Sequence, residues 1–113
     1  MKEIPYRLSP DGENKDWIVV ACGQRAYKDW NNLMTRIPES LELCLAYLCK
    51  QPMERYRGKV FPLQGPLYKG AWEFKVTKGD RVLYVPNPDT HTVFVYYAGK
   101  HPNPPSPRPP KDL

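Results

Sequence analysis

The sequence predicts an α+β domain, and three observations carry that expectation. A short β-branched run ends at a glycine, two adjoining stretches have helical spacing, and three later segments have strand patterning separated by turn residues. The expected architecture is an antiparallel-rich sheet, formed by the first strand plus a C-terminal three-stranded meander, packed on one face by a two-helix hairpin. At 113 residues the chain has room for one domain. We expect an irregular N-terminal arm over 1–15, the folded domain over 16–101 and a proline-rich tail over 102–113.

Taken in order, the arm holds Pro5, Pro10 and Gly12 among charges, with a short strand possible around 4–8. The run WIVVAC at 17–22 is nearly continuous in apolar residues, as a strand buried on both faces requires, and Gly23 closes it. Tyr27, Trp30, Met34 and Ile37 then recur at spacings of three and four, one stripe of a helix. Pro38 suits the first turn of a second helix, with Glu39 and Glu42 near its positive end. Leu41, Cys44, Leu45 and Leu48 line that helix, and the very short link predicts antiparallel packing. Residues 51–70 carry Pro52, Gly58, Pro62, Gly65, Pro66 and Gly70 and read as a long connection.

Three strands are expected next, over 72–77, 81–85 and 92–97. In the first, Trp72, Phe74 and Val76 alternate with Glu73, Lys75 and Thr77. Lys78, Gly79 and Asp80 form the first turn and the cluster PNPDT at 86–90 the second, with His91 at the surface beside it. The tail has six prolines in the nine residues 102–110. It cannot supply regular ladder hydrogen bonds and is expected to be extended. Three fates stay open for it: solvated, draped over its own domain, or bound to an aromatic-grooved partner.

Composition excludes several classes. With 41% apolar and 26% charged residues the chain is neither disordered nor membrane-like. The N-terminus is too polar for a signal peptide, so the expected location is the cytoplasm, with no membrane partner. Cys22, Cys44 and Cys49 have no CxxC spacing and neither histidine sits at a ligand spacing from them, so we expect no metal, no disulfide and reduced thiols used as small core residues. The net charge is +5, and all of it lies between Lys50 and His101, where nine basic residues face four acidic ones. A polyanion or an acidic protein is the partner this half would attract.

If the helices cover one sheet face, the other is expected to be open. A three-residue turn would set Thr77 opposite Arg81 and Lys75 opposite Leu83, bringing Glu73, Lys75 and Arg81 to that face. A two-residue turn would force the guanidinium among Trp72 and Phe74. Lys100 and His101 follow the last strand and would reach the rim. An acid, an amine, a guanidinium and an imidazole match metal-independent RNA cleavage, in which a ribose 2′-hydroxyl attacks the adjacent phosphorus. Arg81 would clamp phosphate with its planar fork, and His101 would move a proton, since imidazole ionises near neutral pH. Lys75 would hold charge or help deprotonate, and Glu73 could act as base. The wider RNA-binding set is Arg57, Lys59, Lys69, Lys78 and Lys100. A solvated strand face accounts for the same charges without chemistry.

The segments LQGPLYKGAWEFKV at 63–76, GDRVLY at 79–84 and VFVYYAGKH at 93–101 resemble, in order and spacing, the RelE/ParE toxin superfamily of bacterial type II toxin–antitoxin pairs. The resemblance implies the RelE-like fold and a ribosome-dependent mRNA endonuclease that needs no metal or small-molecule cofactor. Its implied partners are a cognate antitoxin, the ribosome and mRNA. It implies transition-state support from Arg81, charge stabilisation by Lys75, a polar role at the place of Glu73 and a basic role for His101. Two departures stand out: the residues after His101 contain no aromatic, so Tyr97 or Tyr96 would have to stack a base, and Glu73 puts a negative charge in the phosphate field. Two other functions share the fold: ParE-like inhibition of DNA gyrase, and antitoxin binding without catalysis.

Overall fold

The computed structural model describes residues 6–10 and 16–113. The elements run β1 (Ile18–Ala21), α1 (Gln24–Arg36), α2 (Pro38–Lys50), β2 (Val60–Pro62), β3 (Trp72–Lys75), β4 (Asp80–Asn87) and β5 (Thr92–Lys100). A single 3₁₀ turn, Pro66–Tyr68, precedes β3. This is the expected α+β architecture with two helices against one sheet.

Each helix buries the stripe its spacing dictates. Ala26, Trp30 and Leu33 are the buried positions of α1, and Leu41, Cys44 and Leu48 those of α2. Ile37 alone links them, donating its N–H to Leu33 and accepting from Leu41 through its carbonyl, so one residue satisfies the end of one helix and the start of the next. Pro38 takes the first turn of α2, where a missing N–H costs nothing.

The sheet has five strands in the order β1-β5-β4-β3-β2. β1 runs parallel to β5 and every other pair is antiparallel, so the expected meander is β3-β4-β5. The fifth strand, β2, lies in the stretch read as connection. It is only three residues long and ends in Pro62, which an edge strand tolerates because no neighbour needs its N–H; fully buried Val60 anchors it. On the other edge, Leu8 and Ser9 donate their N–H groups to the Val19 carbonyl and Tyr6 accepts from Ala21, so part of the expected arm flanks β1. Residues 1–5 and 11–15, including the first two residues of the possible strand at 4–8, lie outside the described residues.

The first hairpin differs in register from the expectation. Lys75 pairs with Arg81 and Glu73 with Leu83, rather than Thr77 with Arg81. The loop is longer because the Val76 and Thr77 N–H groups both turn to the Asp80 carbonyl, and the Thr77 hydroxyl bonds the Asp80 carboxylate. A shift of two residues preserves side-chain parity, so Glu73, Lys75 and Arg81 still share a face. β4 and β5 also extend beyond the expected ends, and a bulge between Leu83 and Tyr84 leaves Tyr96 as the extra residue of β5.

The main core fills the space between helices and sheet. Val19, Trp30, Leu33, Leu41, Leu48, Phe74, Val82, Tyr84, Val93 and Val95 belong to it. Tyr84 is completely buried yet polar, and its hydroxyl donates to the Pro52 carbonyl at 2.7 Å.

The opposite sheet face is not open. Leu83, which alternation places there, is 0% exposed. The 3₁₀ turn and the proline-rich tail fold over it: Tyr68 donates to the Ser106 carbonyl, Tyr96 donates to the Pro107 carbonyl, and Val85 lines a cavity with Pro109, Pro110 and Leu113. The tail is draped over its own domain because this strand face carries Leu83, Val85 and Phe94, which need a cover.

Two smaller expectations change. All three cysteines are free thiols, but only Cys44 is fully buried and Cys22 is exposed beyond the end of β1. His91 is half-buried: its ring lies 4.4 Å from that of Trp17, and its backbone has φ of 55°.

Candidate functional site

The ladder between β4 and β5 gathers the polar candidates at one corner of the sheet. Asp80 pairs with Lys100 and Arg81 with Gly99, and the His101 N–H donates to the Gly79 carbonyl at 2.7 Å. Lys78 sits in the same turn. Lys78, Lys100 and His101 are exposed, with Lys75 half-exposed on the neighbouring strand.

Arg81 stands differently from the expectation of an open phosphate clamp. Its side chain is 8% exposed and its Nε donates to Glu73 Oε2 at 3.1 Å. Nη1 donates to the carbonyls of Thr77, Lys78 and Asp80 at 2.8, 3.2 and 3.0 Å, tying the turn to the sheet. Among the described residues no hydrogen bond engages Nη2. The guanidinium is therefore a buried structural bracket with one nitrogen left over. Burial drives the Glu73–Arg81 pairing, since either charge alone would be costly there.

The remaining candidates scatter. Lys75 Nζ lies 5.7 Å from the centre of the Phe61 ring, a cation–π contact on the Arg81 face. Lys59 lies 5.7 Å from the centre of Phe74, whose ring packs on Tyr47 of α2, so it belongs to the helix side and leaves the expected set. Arg57 is exposed in the loop before β2. Lys69 is exposed and lines the cavity beside the end of the tail. Tyr97 pairs with Leu83 and donates its hydroxyl to the Lys100 carbonyl, a bond that holds its polar end at the corner.

Arg36 and Tyr68 do not stand out in the sequence, and Tyr96, expected at most to stack a base, has another role. Arg36 reaches from α1 to Asp80, with Nη2 2.6 Å from Oδ1. Hydrogen bonding from Arg36, aided by Thr77, holds the Asp80 carboxyl below the usual carboxylate range despite its burial. Tyr68 and Tyr96 hold the tail, and burial pushes the Tyr96 phenol well above its ordinary value. A signal was available: a proline run has few N–H groups and needs donors for its carbonyls, which tyrosine hydroxyls supply.

No family model matches the chain, and no curated protein does. Solved structures do. A YoeB/ParE toxin from Agrobacterium tumefaciens superposes with a TM-score of 0.60 at 19% identity, covering 74% of this chain and 97% of that one. A chain of the toxin–antitoxin complex RelBE2 from Mycobacterium tuberculosis matches with a TM-score of 0.58 at 21% identity, covering 76% and 99%. A chain of the YoeB–YefM complex from Staphylococcus aureus matches with a TM-score of 0.59 at 13% identity, covering 74% and 94%. No helix among the described residues is long and apolar enough to cross a membrane. Two helices on a five-stranded mixed sheet, closed by the β3–β4 corner, make this chain a protein of the RelE/ParE toxin fold.

Proposed function

We propose that the protein is the toxin of a type II toxin–antitoxin pair and cleaves mRNA on the ribosome without a metal. The observation that carries this reading is the exposed cationic corner of Lys78, Lys100 and His101 beside Arg81, on a fold shared with solved YoeB and RelE-type toxins. In the proposed reaction the ribose 2′-oxygen attacks the adjacent phosphorus, the P–O5′ bond breaks, and a 2′,3′-cyclic phosphate and a free 5′-hydroxyl result. His101 delivers the proton to the leaving oxygen, Lys75, Lys78 and Lys100 hold the phosphorane charge, and Arg81 Nη2 is the donor its other bonds leave for a phosphate oxygen. Glu73 takes the proton of the attacking 2′-hydroxyl, its pairing with Arg81 giving way as the guanidinium engages phosphate. Arg57 and Lys69 are outer phosphate contacts, and Tyr97 stacks a base. The cognate antitoxin is the protein partner, and exposed Leu43 and Tyr56 offer it apolar surface.

The buried Glu73–Arg81 pair favours a second reading, binding without cleavage, as a gyrase inhibitor or an antitoxin-binding module. Translating ribosomes given a defined mRNA separate the two. Cuts confined to the A site by primer extension, absent with Lys78→Ala/His101→Ala, support cleavage; intact mRNA with a folded protein moves the assignment to inhibition by binding. Arg81→Ala is a poor control, because its three carbonyl bonds make it part of the fold.

A further inference from the structure

The proline-rich tail and the sheet face beneath it form a ligand and its site within one chain. A polyproline segment has carbonyl acceptors and few donors, and proteins that read such segments do so with aromatic grooves whose hydroxyl and indole groups donate to those carbonyls. Here the consecutive carbonyls of Ser106 and Pro107 each receive one tyrosine hydroxyl, from Tyr68 at 2.9 Å and Tyr96 at 3.0 Å. The two donors come from different elements, the 3₁₀ turn and β5, so two separate segments of the domain hold adjacent residues of the tail. The floor beneath the tail is apolar. Leu83 is fully buried there although it stands outside the main core, and Val85 lines one cavity with Pro109 and Pro110 farther along.

We propose that this sheet face is a binding site for proline-rich peptides, occupied in cis by the tail, residues 102–113. A tethered ligand is present at high effective concentration, so a second peptide of the same chemistry enters only when the cis tail is weakened. Prolines favour the bound state because their backbone loses little freedom on docking. The inference is independent of the nuclease reading, since its tests read binding and order rather than cleavage.

The test uses the full-length chain and a fluorescein-labelled synthetic peptide of residues 102–113. A chain carrying Pro104→Ser, Pro105→Ser, Pro107→Ser, Pro109→Ser and Pro110→Ser keeps its length but loses the tail's stiffness. By anisotropy this variant is expected to bind the peptide at least tenfold more tightly than the parent does, and adding Tyr68→Phe/Tyr96→Phe is expected to reverse most of that gain. Equal affinity for parent and serine-tailed chain, no binding to either, or a gain that survives the tyrosine changes overturns the proposal. A second measurement does not depend on the serine-tailed chain folding. In the parent, heteronuclear relaxation of the Ser106 and Arg108 amides is expected to show order equal to that of the sheet, and Tyr68→Phe/Tyr96→Phe alone is expected to make both mobile on the nanosecond scale. Mobile amides in the parent, or unchanged order in the double variant, overturn it.

Discussion

Arg36 and Asp80 are 44 residues apart in sequence, yet Nη2 of one lies 2.6 Å from Oδ1 of the other. The contact fastens the last turn of α1 to the first residue of β4. Asp80 also accepts from the Thr77 hydroxyl, so one carboxylate ties the helix end to the turn, while the backbone of the same residue pairs across the sheet with Lys100. The cationic corner inherits its shape from this carboxylate.

That carboxylate makes stability depend on acid. The folded protein holds Asp80 below its ordinary range, chiefly through the hydrogen bond from Arg36. Because the folded pKa is depressed, the stabilisation is fully present above the unfolded value near 4 and is lost as pH falls through the folded value. Asp80→Asn is expected to cost about 1–2 kcal/mol at pH 7, the scale of a charge-assisted bond whose arginine partner is half in solvent. Urea titrations of parent and variant should show that gap at pH 7 and its progressive closure below pH 4. A gap that stays constant to pH 2 would show that the carboxylate's charge is not what stabilises the corner.

The Glu73–Arg81 pair predicts a different pattern. Both side chains are about nine-tenths buried, so removing one leaves an uncompensated charge. Glu73→Ala is expected to destabilise by about 3–5 kcal/mol, whereas Glu73→Leu with Arg81→Met, which removes both charges and keeps the volume, should cost much less than the two single changes summed. Denaturant unfolding of the four proteins measures the coupling directly, and additive costs would mean that the two charges do not need each other.

Much of the fold was legible because it rests on local pattern. Both helices, the parity that unites Glu73, Lys75 and Arg81, and the three-stranded meander follow from spacing and turn residues. The misses share a cause: they depend on contacts between distant segments. β2 is too short and too proline-bound to show alternation, and it exists because β3 gives it a partner. The two-residue shift of the first hairpin comes from side-chain bonds of Thr77 and Arg81 that turn composition does not reveal. Nothing in a strand pattern says that Arg81 is enclosed by Glu73 of the neighbouring strand and by the carbonyls of its own turn. The polar residues of the site were legible as a set, but their solvent exposure was not.

Tyr84 tests the junction between the helical core and the loop after α2. Its hydroxyl is buried and donates to the Pro52 carbonyl at 2.7 Å. Tyr84→Phe keeps the ring and removes that bond, leaving a buried carbonyl without this donor, at an expected cost of about 1–2 kcal/mol. Thermal melts should record a lower Tm with unchanged circular dichroism. An unchanged Tm would mean that the Pro52 carbonyl finds a replacement donor.

His101 gives the sharpest separation of chemistry from folding. It is exposed, and the hydrogen bond it makes to Gly79 comes from its backbone N–H, which alanine retains. His101→Ala should therefore leave the Tm within about 1 °C of the parent, in keeping with the small effects of exposed substitutions. On the proposed mechanism the same change removes the proton donor to the leaving 5′-oxygen and should slow ribosome-dependent cleavage by about 10²-fold or more. Lys78→Ala, equally exposed, should weaken the reaction less, because Lys75 and Lys100 still hold charge near the phosphorane. Cleavage by His101→Ala at the parental rate would remove the imidazole from the reaction and leave the lysines as a binding surface alone.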